Sequence, residues 1–490
     1  MNFEIKTFFR NAVIYSLGMI AERALAFFLI PLYTRQLSTD DFGLLSIVRT
    51  FTECLRPVIL LGLPVAIKRS YLQKDINNEK RKVLLGTCLI WSLIYSFVMN
   101  SGIIVFSHKL SMTFFKRADF ANLFCLISIT LFLSKFNYLY YAILQAKQES
   151  KKYILISLSY LVLSCILNLY LLIVLKLNVK GILFSNLIAS FIIVIPAILF
   201  FLKNSKFVFD FQVIKNLLGF GLLIVPVSYA TWILDLSDRY FLIHYTNLTE
   251  IGYYEIGYKI GMLLNLIVVM PFQIAWPVYY FSKGKNQDFC QQYKRIFDLL
   301  IITLLIVWLG LALFSKPILT ILAPPQYLKS NQVIALVALA YVFNGIQIFF
   351  HCGIHLSGKS KYLTFIIIFS ALINIILNYL FIPRYGILGA AWSTVFSFGI
   401  MVLLTYLVSQ RYFKYKIHLQ KLIYNILILG MIYILFQLFI HNSSVLTLAL
   451  KLLAFSSFSL ICFRIYKINI ISLYSQKVQL LLHTISKEQI

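Results

Sequence analysis

The chain has 490 residues, of which 60% are hydrophobic and only 12% are charged, and its mean hydropathy is +0.85. Soluble proteins average about 45 to 50% apolar and about 25% charged residues, so this composition excludes a soluble domain and is typical of a polytopic membrane protein. The formal net charge of +27 would suggest nucleic acid as the partner of a soluble protein. Here the basic residues lie in short segments between apolar stretches, which argues against nucleic acid.

Apolar stretches long enough to cross a bilayer, about 20 residues each, predict an all-α fold of about fourteen transmembrane helices. The predicted spans lie near residues 11–33, 42–67, 83–106, 120–145, 153–175, 181–202, 217–243, 250–281, 296–315, 330–356, 362–382, 386–410, 419–440 and 445–463. With both termini inside, the inner segments, counted with Lys421 at the start of predicted helix 13, hold 28 lysines and arginines, and the outer loops hold 9. Because basic residues concentrate on the cytoplasmic side, the sequence predicts cytoplasmic termini and an uncleaved first helix.

An internal repeat divides the chain into two halves. At a shift of about 209 residues, the segment that begins Asp41-Phe-Gly falls on the segment that begins Glu250-Ile-Gly. Each half has six helices, an even number, so the halves have the same orientation and are related by a pseudo-two-fold axis along the membrane normal, with a substrate cavity between them. The predicted units are a first lobe at 1–210 (helices 1–6), a second lobe at 211–415 (helices 7–12) and a C-terminal helix pair with a tail at 416–490.

Charged residues inside the predicted spans indicate where the cavity lies. An ionisable side chain at bilayer depth costs about 2.5 to 3.5 kcal/mol on insertion scales, so each one needs a wet or paired environment. On helix 2, Arg49, Glu53 and Arg56 lie on one face and are expected to point into one cavity. The candidate substrate-binding residues are Arg23, Arg49, Arg56, Lys135, Arg239 and Lys259, and the candidate ion-coupling carboxylates are Glu22, Glu53, Asp235, Asp238 and Glu255.

Two interpretations of these charges stay open. In the second lobe, Asp235 with Arg239 and Glu255 with Lys259 have the spacing of ion pairs that hold helices together. The first lobe is different, because its four basic residues within spans face only two acidic ones. This excess of positive charge predicts an anionic ligand, and the planar fork of arginine suits phosphate.

The sequence predicts no metal, no cofactor and no catalytic residue. His351 and His355 are four residues apart, which is a metal-ligand spacing, but no third ligand lies in register with them. No motif of a hydrolase, a nucleotide-binding loop or a metalloprotease is present. The chain is therefore predicted not to be an enzyme.

Several short motifs carry a resemblance to a known family. They are Arg23 followed by Pro31-Leu-Tyr-Thr-Arg35 and Asp41-Phe-Gly-Leu, then Leu61-Gly-Leu-Pro-Val-Ala-Ile-Lys-Arg69, Asp238-Arg-Tyr-Phe-Leu, Ile251-Gly-Tyr-Tyr and Tyr385-Gly-Ile-Leu-Gly-Ala-Ala391. Together they resemble the Wzx-type O-antigen/polysaccharide flippases, which form the polysaccharide biosynthesis branch of the multidrug/oligosaccharidyl-lipid/polysaccharide exporter superfamily.

The resemblance implies a function. The cargo would be an undecaprenyl-pyrophosphate-linked oligosaccharide repeat unit for O-antigen or capsule, moved from the cytoplasmic to the outer leaflet of the bacterial inner membrane by alternating access. Membrane lipids and other polysaccharide assembly proteins would be its partners. Similarity to the lipid II flippase of the same superfamily implies that Arg23, Arg49 and Lys259, on helices 1, 2 and 8, hold the pyrophosphate.

Two alternatives remain open on the sequence. One is a cation-coupled multidrug exporter of the same superfamily, although such exporters usually have twelve helices. The other is a membrane-embedded polymerase or ligase of surface polysaccharide, although those enzymes carry a large external loop, which is absent here.

Overall fold

The computed structural model describes residues 25, 27–73, 77–115, 118–284, 289–414, 431 and 450–458, and within these residues every regular element is a helix. In chain order the α-helices are α1 (Ile30–Gln36), α2 (Thr39–Leu60), α3 (Leu63–Tyr71), α4 (Asn78–Val105), α5 (Ser107–Phe115), α6 (Ala121–Ala146), α7 (Ser150–Leu169), α8 (Asn178–Asn204), α9 (Phe211–Gly221), α10 (Val225–Tyr245), α11 (Leu248–Gly261), α12 (Met270–Lys283), α13 (Phe289–Leu313), α14 (Ser315–Leu322), α15 (Asn331–Leu356) and α16 (Lys361–Tyr412). Short π-helical turns follow α7 and α11, and a 3-10 helix precedes α15.

Ten helical segments of the described part are long and apolar enough to cross a membrane. Nine of them coincide with one predicted span each, from Thr39–Tyr71 to Pro325–Leu356, and the tenth, Lys361–Tyr412, contains two predicted spans. Predicted helices 1, 13 and 14 lie mostly outside the described residues. The chain is an all-α, multi-pass membrane protein, as predicted.

Helix α16 is a hairpin of two antiparallel arms, 361–385 and 387–412. The turn lies at Gly386, whose φ of 55° and ψ of −128° are not helical and suit a residue without a Cβ atom. The arms face each other through polar side chains, since the Asn374 amide donates to Ser397 Oγ at 3.2 Å and Ser393 donates to Asn378. The prediction of two helices in this segment is confirmed.

The second predicted helix differs from its prediction, because it is broken near its C-terminal end. Leu61 and Gly62 have φ angles of 49° and 66°, both in the left-handed region, and they separate α2 from α3. Pro57 lies just before the break and Pro64 begins α3. Proline removes a backbone donor from the helix and fixes φ, so these two residues favour a break here.

The two lobes meet where α2 crosses α11, and this crossing contains residues related by the repeat. Gly43 packs on Gly252, where a Cβ atom on Gly43 would lie 1.9 Å from the Leu248 carbonyl oxygen. Thr249 donates to Asp40 at the same crossing. Each pair is separated by 209 positions, the shift of the sequence repeat, so the pseudo-two-fold axis passes through this contact. We call this side of the bundle the Asp40 end.

The opposite side of the bundle, here called the Arg69 end, contains a second contact between the repeats. There α9 packs against α3 and α4, and Ile214 and Leu217 of α9 share an apolar cluster with Leu63 of α3. The Arg69 guanidinium lies 4.3 Å from the centroid of the Phe220 ring. The first part of the seventh predicted helix therefore packs on the first lobe, and the lobes touch at both ends of the bundle.

Candidate functional site

Glu255 lies between the two lobes and accepts hydrogen bonds from both. The residue is 5% exposed and belongs to α11, and Ser46 of α2 donates to its Oε2 atom at 3.0 Å. From the second lobe, Arg239 donates to the same oxygen at 3.3 Å through Nε and at 3.1 Å through Nη2. A buried carboxylate is stable only when its oxygens are paired and hydrogen-bonded, and here both lobes supply the partners.

Arg239 is the most deeply buried cation of this network, at 1% exposure. Its Nη1 atom donates to Asp238 Oδ1 and to the Asp235 backbone oxygen, each at 2.7 Å, and Tyr254 donates to the other Asp238 oxygen. The guanidinium also lies 4.0 Å from the centroid of the Tyr258 ring. Each of the three guanidinium nitrogens of Arg239 thus donates to a protein oxygen.

Arg49 and Lys259 hold Glu255 more loosely and are more accessible. Arg49 Nη1 is 4.0 Å from Glu255 Oε1, beyond hydrogen-bonding distance, and 55% of the Arg49 side chain is exposed. Lys259 Nζ is 3.6 Å from the same oxygen, with 17% of its side chain exposed, and it lies 4.6 Å from the centroid of the Phe42 ring. These two basic groups lie side by side on facing helices, α2 and α11.

Glu53 and Arg56 lie further along α2 and bond to each other, with both side chains about one-third exposed or less. The Arg56 guanidinium also lies 5.4 Å from the centroid of the Tyr138 ring on α6. Glu53 is therefore the partner of Arg56, whereas Arg49 faces Glu255 of the other lobe. The charges on the two lobes cannot be counted separately, because Arg49 and Glu255 join them.

The other predicted residues are spread more widely. Lys135 lies inside the first lobe on α6 with no exposed surface, away from the set around Glu255. Asp235 is partly buried on α10. Glu22 and Arg23 lie outside the described residues. His351 and His355 have ring centroids 5.7 Å apart, and in the part of the chain that the structure describes no third potential ligand joins them.

Two members of the network were not predicted from the sequence. Ser46 bonds Glu255, and Tyr254 bonds Asp238. The repeat could have identified the first contact, since Ser46 and Glu255 are also separated by 209 residues and residues near a two-fold axis meet their own equivalents. The second contact left no signal, because a tyrosine in an apolar helix is common at membrane interfaces.

Family models match two overlapping parts of the chain. The model described as polysaccharide biosynthesis protein matches residues 8–285, and the MatE model matches residues 224–380. Among curated proteins, the Lsg locus putative protein 1 of Haemophilus influenzae is 22% identical over 78% of this chain and 95% of its own length. An uncharacterized membrane protein of Methanocaldococcus jannaschii is 28% identical, but the match spans only 40% of each chain.

Solved structures share the fold. The lipid II flippase MurJ in an inward closed conformation superposes with a TM-score of 0.73 over 92% of this chain and 99% of its own, at 17% identity. An inward-facing multidrug resistance MATE family transporter of the MOP superfamily gives a TM-score of 0.62 over 82% of this chain and 97% of its own, at 14% identity. Since one family model covers more than half of the sequence, this membrane protein belongs to the polysaccharide biosynthesis protein family, within the superfamily of flippases and exporters that its motifs resemble.

Proposed function

We propose that the chain translocates an undecaprenyl-pyrophosphate-linked oligosaccharide repeat unit from the cytoplasmic to the outer leaflet, for O-antigen or capsule assembly. The main support for this proposal is the environment of Arg49. This residue is a half-exposed arginine in the middle of a spanning helix, and it touches Glu255 only at 4.0 Å. A cation that the protein neutralises so loosely is available to an anionic ligand, and its fork matches phosphate oxygens.

The network around Glu255 suggests how the ligand is received. Three cations, Arg49, Arg239 and Lys259, surround two carboxylates, Glu255 and Asp238. A pyrophosphate that approaches Arg49 and Lys259 competes with Glu255 for them, while Arg239 keeps its hydrogen bonds to Glu255 and Asp238. Cargo binding would then loosen Arg49 and Lys259 from Glu255, which joins the lobes beside the α2–α11 crossing.

Alternating access follows if the two contacts between lobes open in turn. The Arg69 end would open to admit the pyrophosphate and sugars, with the polyprenyl tail left in the lipid, and the Asp40 end would open to release them. Export of an anion from a negative interior is favoured by about 2.3 kcal/mol per charge per 100 mV. The candidate carboxylates for ion coupling are Glu22, Glu53, Asp235, Asp238 and Glu255.

The first testable prediction concerns which side of the membrane two of the loops face. If the chain lies in the bacterial inner membrane with both termini in the cytoplasm, a cysteine at the exposed Asn77 should react with an impermeant thiol reagent only from the cytoplasm. A cysteine at the exposed Asn247 should react only from outside, because one predicted loop is internal and the other external. Labelling of inverted and right-side-out vesicles measures this. Reaction of both positions from the same side would contradict the two-lobe topology.

The function itself is tested by deleting the gene. Lipid-linked repeat units should accumulate on the inner leaflet and surface polymer should disappear, while the sugar-assembly enzymes still work. The measurement is extraction of lipid-linked glycans, with leaflet position read by a membrane-impermeant lectin or oxidant. The match of the MatE model to residues 224–380 favours a drug exporter as the second candidate. A deletion strain with normal polymer and new drug sensitivity would select that candidate.

A further inference from the structure

The core of the first lobe holds an amine with no partner. Lys135 is completely buried on α6, and its Nζ atom makes no hydrogen bond. Nζ lies 4.9 Å from the centroid of the Tyr95 ring on α4, over the face of the ring. An ammonium in this position has a cation–π contact but no carboxylate or carbonyl oxygen to replace its lost hydration.

The helix register places two serine hydroxyls at the level of this amine. Helices α4 and α6 are antiparallel, because Ser128 donates to the Asn100 backbone oxygen at 2.9 Å and Lys135, further along α6, meets Tyr95, earlier on α4. Ser92 and Ser96 occupy the same stretch of α4, both with 0% exposure, and neither hydroxyl bonds a nitrogen or oxygen. Ser92 has the Cys88 thiol as its partner, so two buried hydroxyls with no nitrogen or oxygen partner lie on α4 at the level of Lys135.

Few titratable groups face this position. From α4, Cys88 and Tyr95 face the amine. From α2, Arg56 lies over Tyr138, one turn along α6 from Lys135, and is bonded to Glu53. Among the described residues of the other helices packed on α6, namely α3, α5, α7 and α8, no charged group acts on Lys135.

Tyr95 connects this amine to the break in the second predicted helix. The Tyr95 hydroxyl donates to the Val58 backbone oxygen at 3.0 Å. In an unbroken helix that oxygen would accept from the amide of residue 62, but α2 ends at Leu60 and Gly62 is left-handed. The Tyr95 hydroxyl therefore bonds the Val58 carbonyl oxygen, which the break leaves without its helical partner. Lys135 Nζ lies over one face of the same ring.

We propose that Lys135 is a proton-binding site of the first lobe, and that Tyr95 couples the protonation of this amine to the break between α2 and α3. The neutral amine fits the closed packing. When the amine binds a proton to become ammonium, it requires oxygen partners, which Ser92, Ser96 and entering water can supply only if Tyr95 moves. A displaced Tyr95 releases the Val58 carbonyl and so changes the stability of the break.

A proton suits this site better than an inorganic anion, because Nζ has no exposed surface and the Tyr95 ring packs over it. A proton needs no extra volume. The bonded pair Asn100 and Ser128 lies between Lys135 and the Asp40 end of α4, so that side of the amine also has buried polar groups. This inference rests on the proposed function for its role, since proton entry would then drive the return of the empty carrier.

The test follows the conformation of the purified full-length chain and requires no cargo, so its outcome is independent of the substrate proposal. Spin labels are placed on cysteines at Asp119 and Gln326, exposed residues of the two lobes at the Asp40 end, after the seven native cysteines are replaced. When the pH is lowered from about 9 to about 6, a range in which ordinary lysines keep their proton, we expect a new population with a longer distance between the two labels. The thermal midpoint should change over the same range.

Three variants make the test specific. Lys135→Met should remove the pH dependence of both the distance and the thermal midpoint. Tyr95→Phe, which keeps the ring and loses the hydroxyl, should keep the dependence of the midpoint and lose that of the distance. Lys151→Met, which changes an exposed lysine of the same lobe, should behave like the parent chain. If Lys135→Met does not fold, the Tyr95→Phe variant still tests the proposal. Only a proton site coupled through the Tyr95 hydroxyl predicts that the thermal midpoint keeps its pH dependence while the distance loses it.

Several results would overturn the proposal. They are a parent chain whose distances do not depend on pH, a Lys135→Met variant that keeps the dependence, and a Tyr95→Phe variant in which both readouts behave as in the parent. The measurement is repeated with chloride replaced by gluconate at constant pH. A distance change that follows chloride instead of pH would assign an anion to this position and reject the proton.

Discussion

An Arg49→Ala variant is expected to lose surface polymer by a factor on the order of 10 to 100, and to accumulate lipid-linked repeat units on the inner leaflet. Hydrogen bonds between a charged donor and a charged acceptor are worth about 1.5 to 3 kcal/mol each, and the variant removes at least one of them from the pyrophosphate. Arg49→Lys should retain part of the activity, because it keeps the charge and loses the planar fork. The measurement is complementation of a deletion strain, with membrane levels checked by blot.

The structure makes this single substitution decisive. If Arg49 were only a structural partner of Glu255, its loss would be tolerated, because Ser46, Arg239 and Lys259 still hold that carboxylate. Full activity from a well-expressed Arg49→Ala variant would therefore remove Arg49 from the binding site. The matched control is Lys82→Ala, which removes a basic residue from a surface ion pair with Glu79. Such pairs contribute about 0 to 1 kcal/mol, so the control should retain activity.

The described fold followed from the sequence where a strong physical signal controlled it. Span length and hydropathy identified the helices, because a spanning helix needs about 20 apolar residues and this requirement can be read from composition alone. The two arms of α16 were separated for the same reason, with a predicted connection at 383–385, directly before the turn at Gly386. Hydropathy alone does not predict the break at Leu61–Gly62. Apolar residues continue through it, so hydropathy does not register the change of backbone direction.

The sequence named charged residues as candidates for the site, but it did not give the contacts among them. Sequence spacing places Arg49, Glu53 and Arg56 on one helix face, and it cannot say which helix of the other lobe that face meets. The spacing of four residues in the sequence predicts that Glu255 and Lys259 pair. In the structure Lys259 Nζ lies 3.6 Å from Glu255 Oε1. The contact of Glu255 with Arg49 joins residues more than two hundred positions apart, so only tertiary structure reveals it.

The repeat also explains why the network lies where it does. Near a pseudo-two-fold axis, equivalent positions of the two halves face each other, and because the halves differ in sequence, the two sides of such a contact can have different residues. Here the first lobe presents Ser46 where the second presents Glu255. This asymmetry puts a negative charge on one side of the axis only. The basic residues of both lobes, Arg49 from one and Lys259 from the other, can therefore converge on the same carboxylate.

The last prediction concerns the crossing at the Asp40 end, where the two lobes lie backbone to backbone. A Gly43→Ala variant is expected to lose surface polymer almost completely. The new Cβ atom would lie 1.9 Å from the Leu248 carbonyl oxygen, and backbone in a packed helix crossing cannot yield without separating the helices. The Asp40 end would then stay open, and a carrier that cannot close one end cannot alternate.

The open state can be detected directly at a neighbouring residue. Ser46 is 4% exposed at the crossing, so a Ser46→Cys chain should be protected from an impermeant thiol reagent and should become reactive when Gly43→Ala is added. The matched control is Gly102→Ala, because Gly102 also lies within a spanning helix and its added Cβ atom would meet nothing within 4 Å. That control should keep activity and protection, with a gain in helix stability of up to about 1 kcal/mol. An active Gly43→Ala variant with Ser46→Cys still protected would show that transport does not require the close approach of α2 and α11.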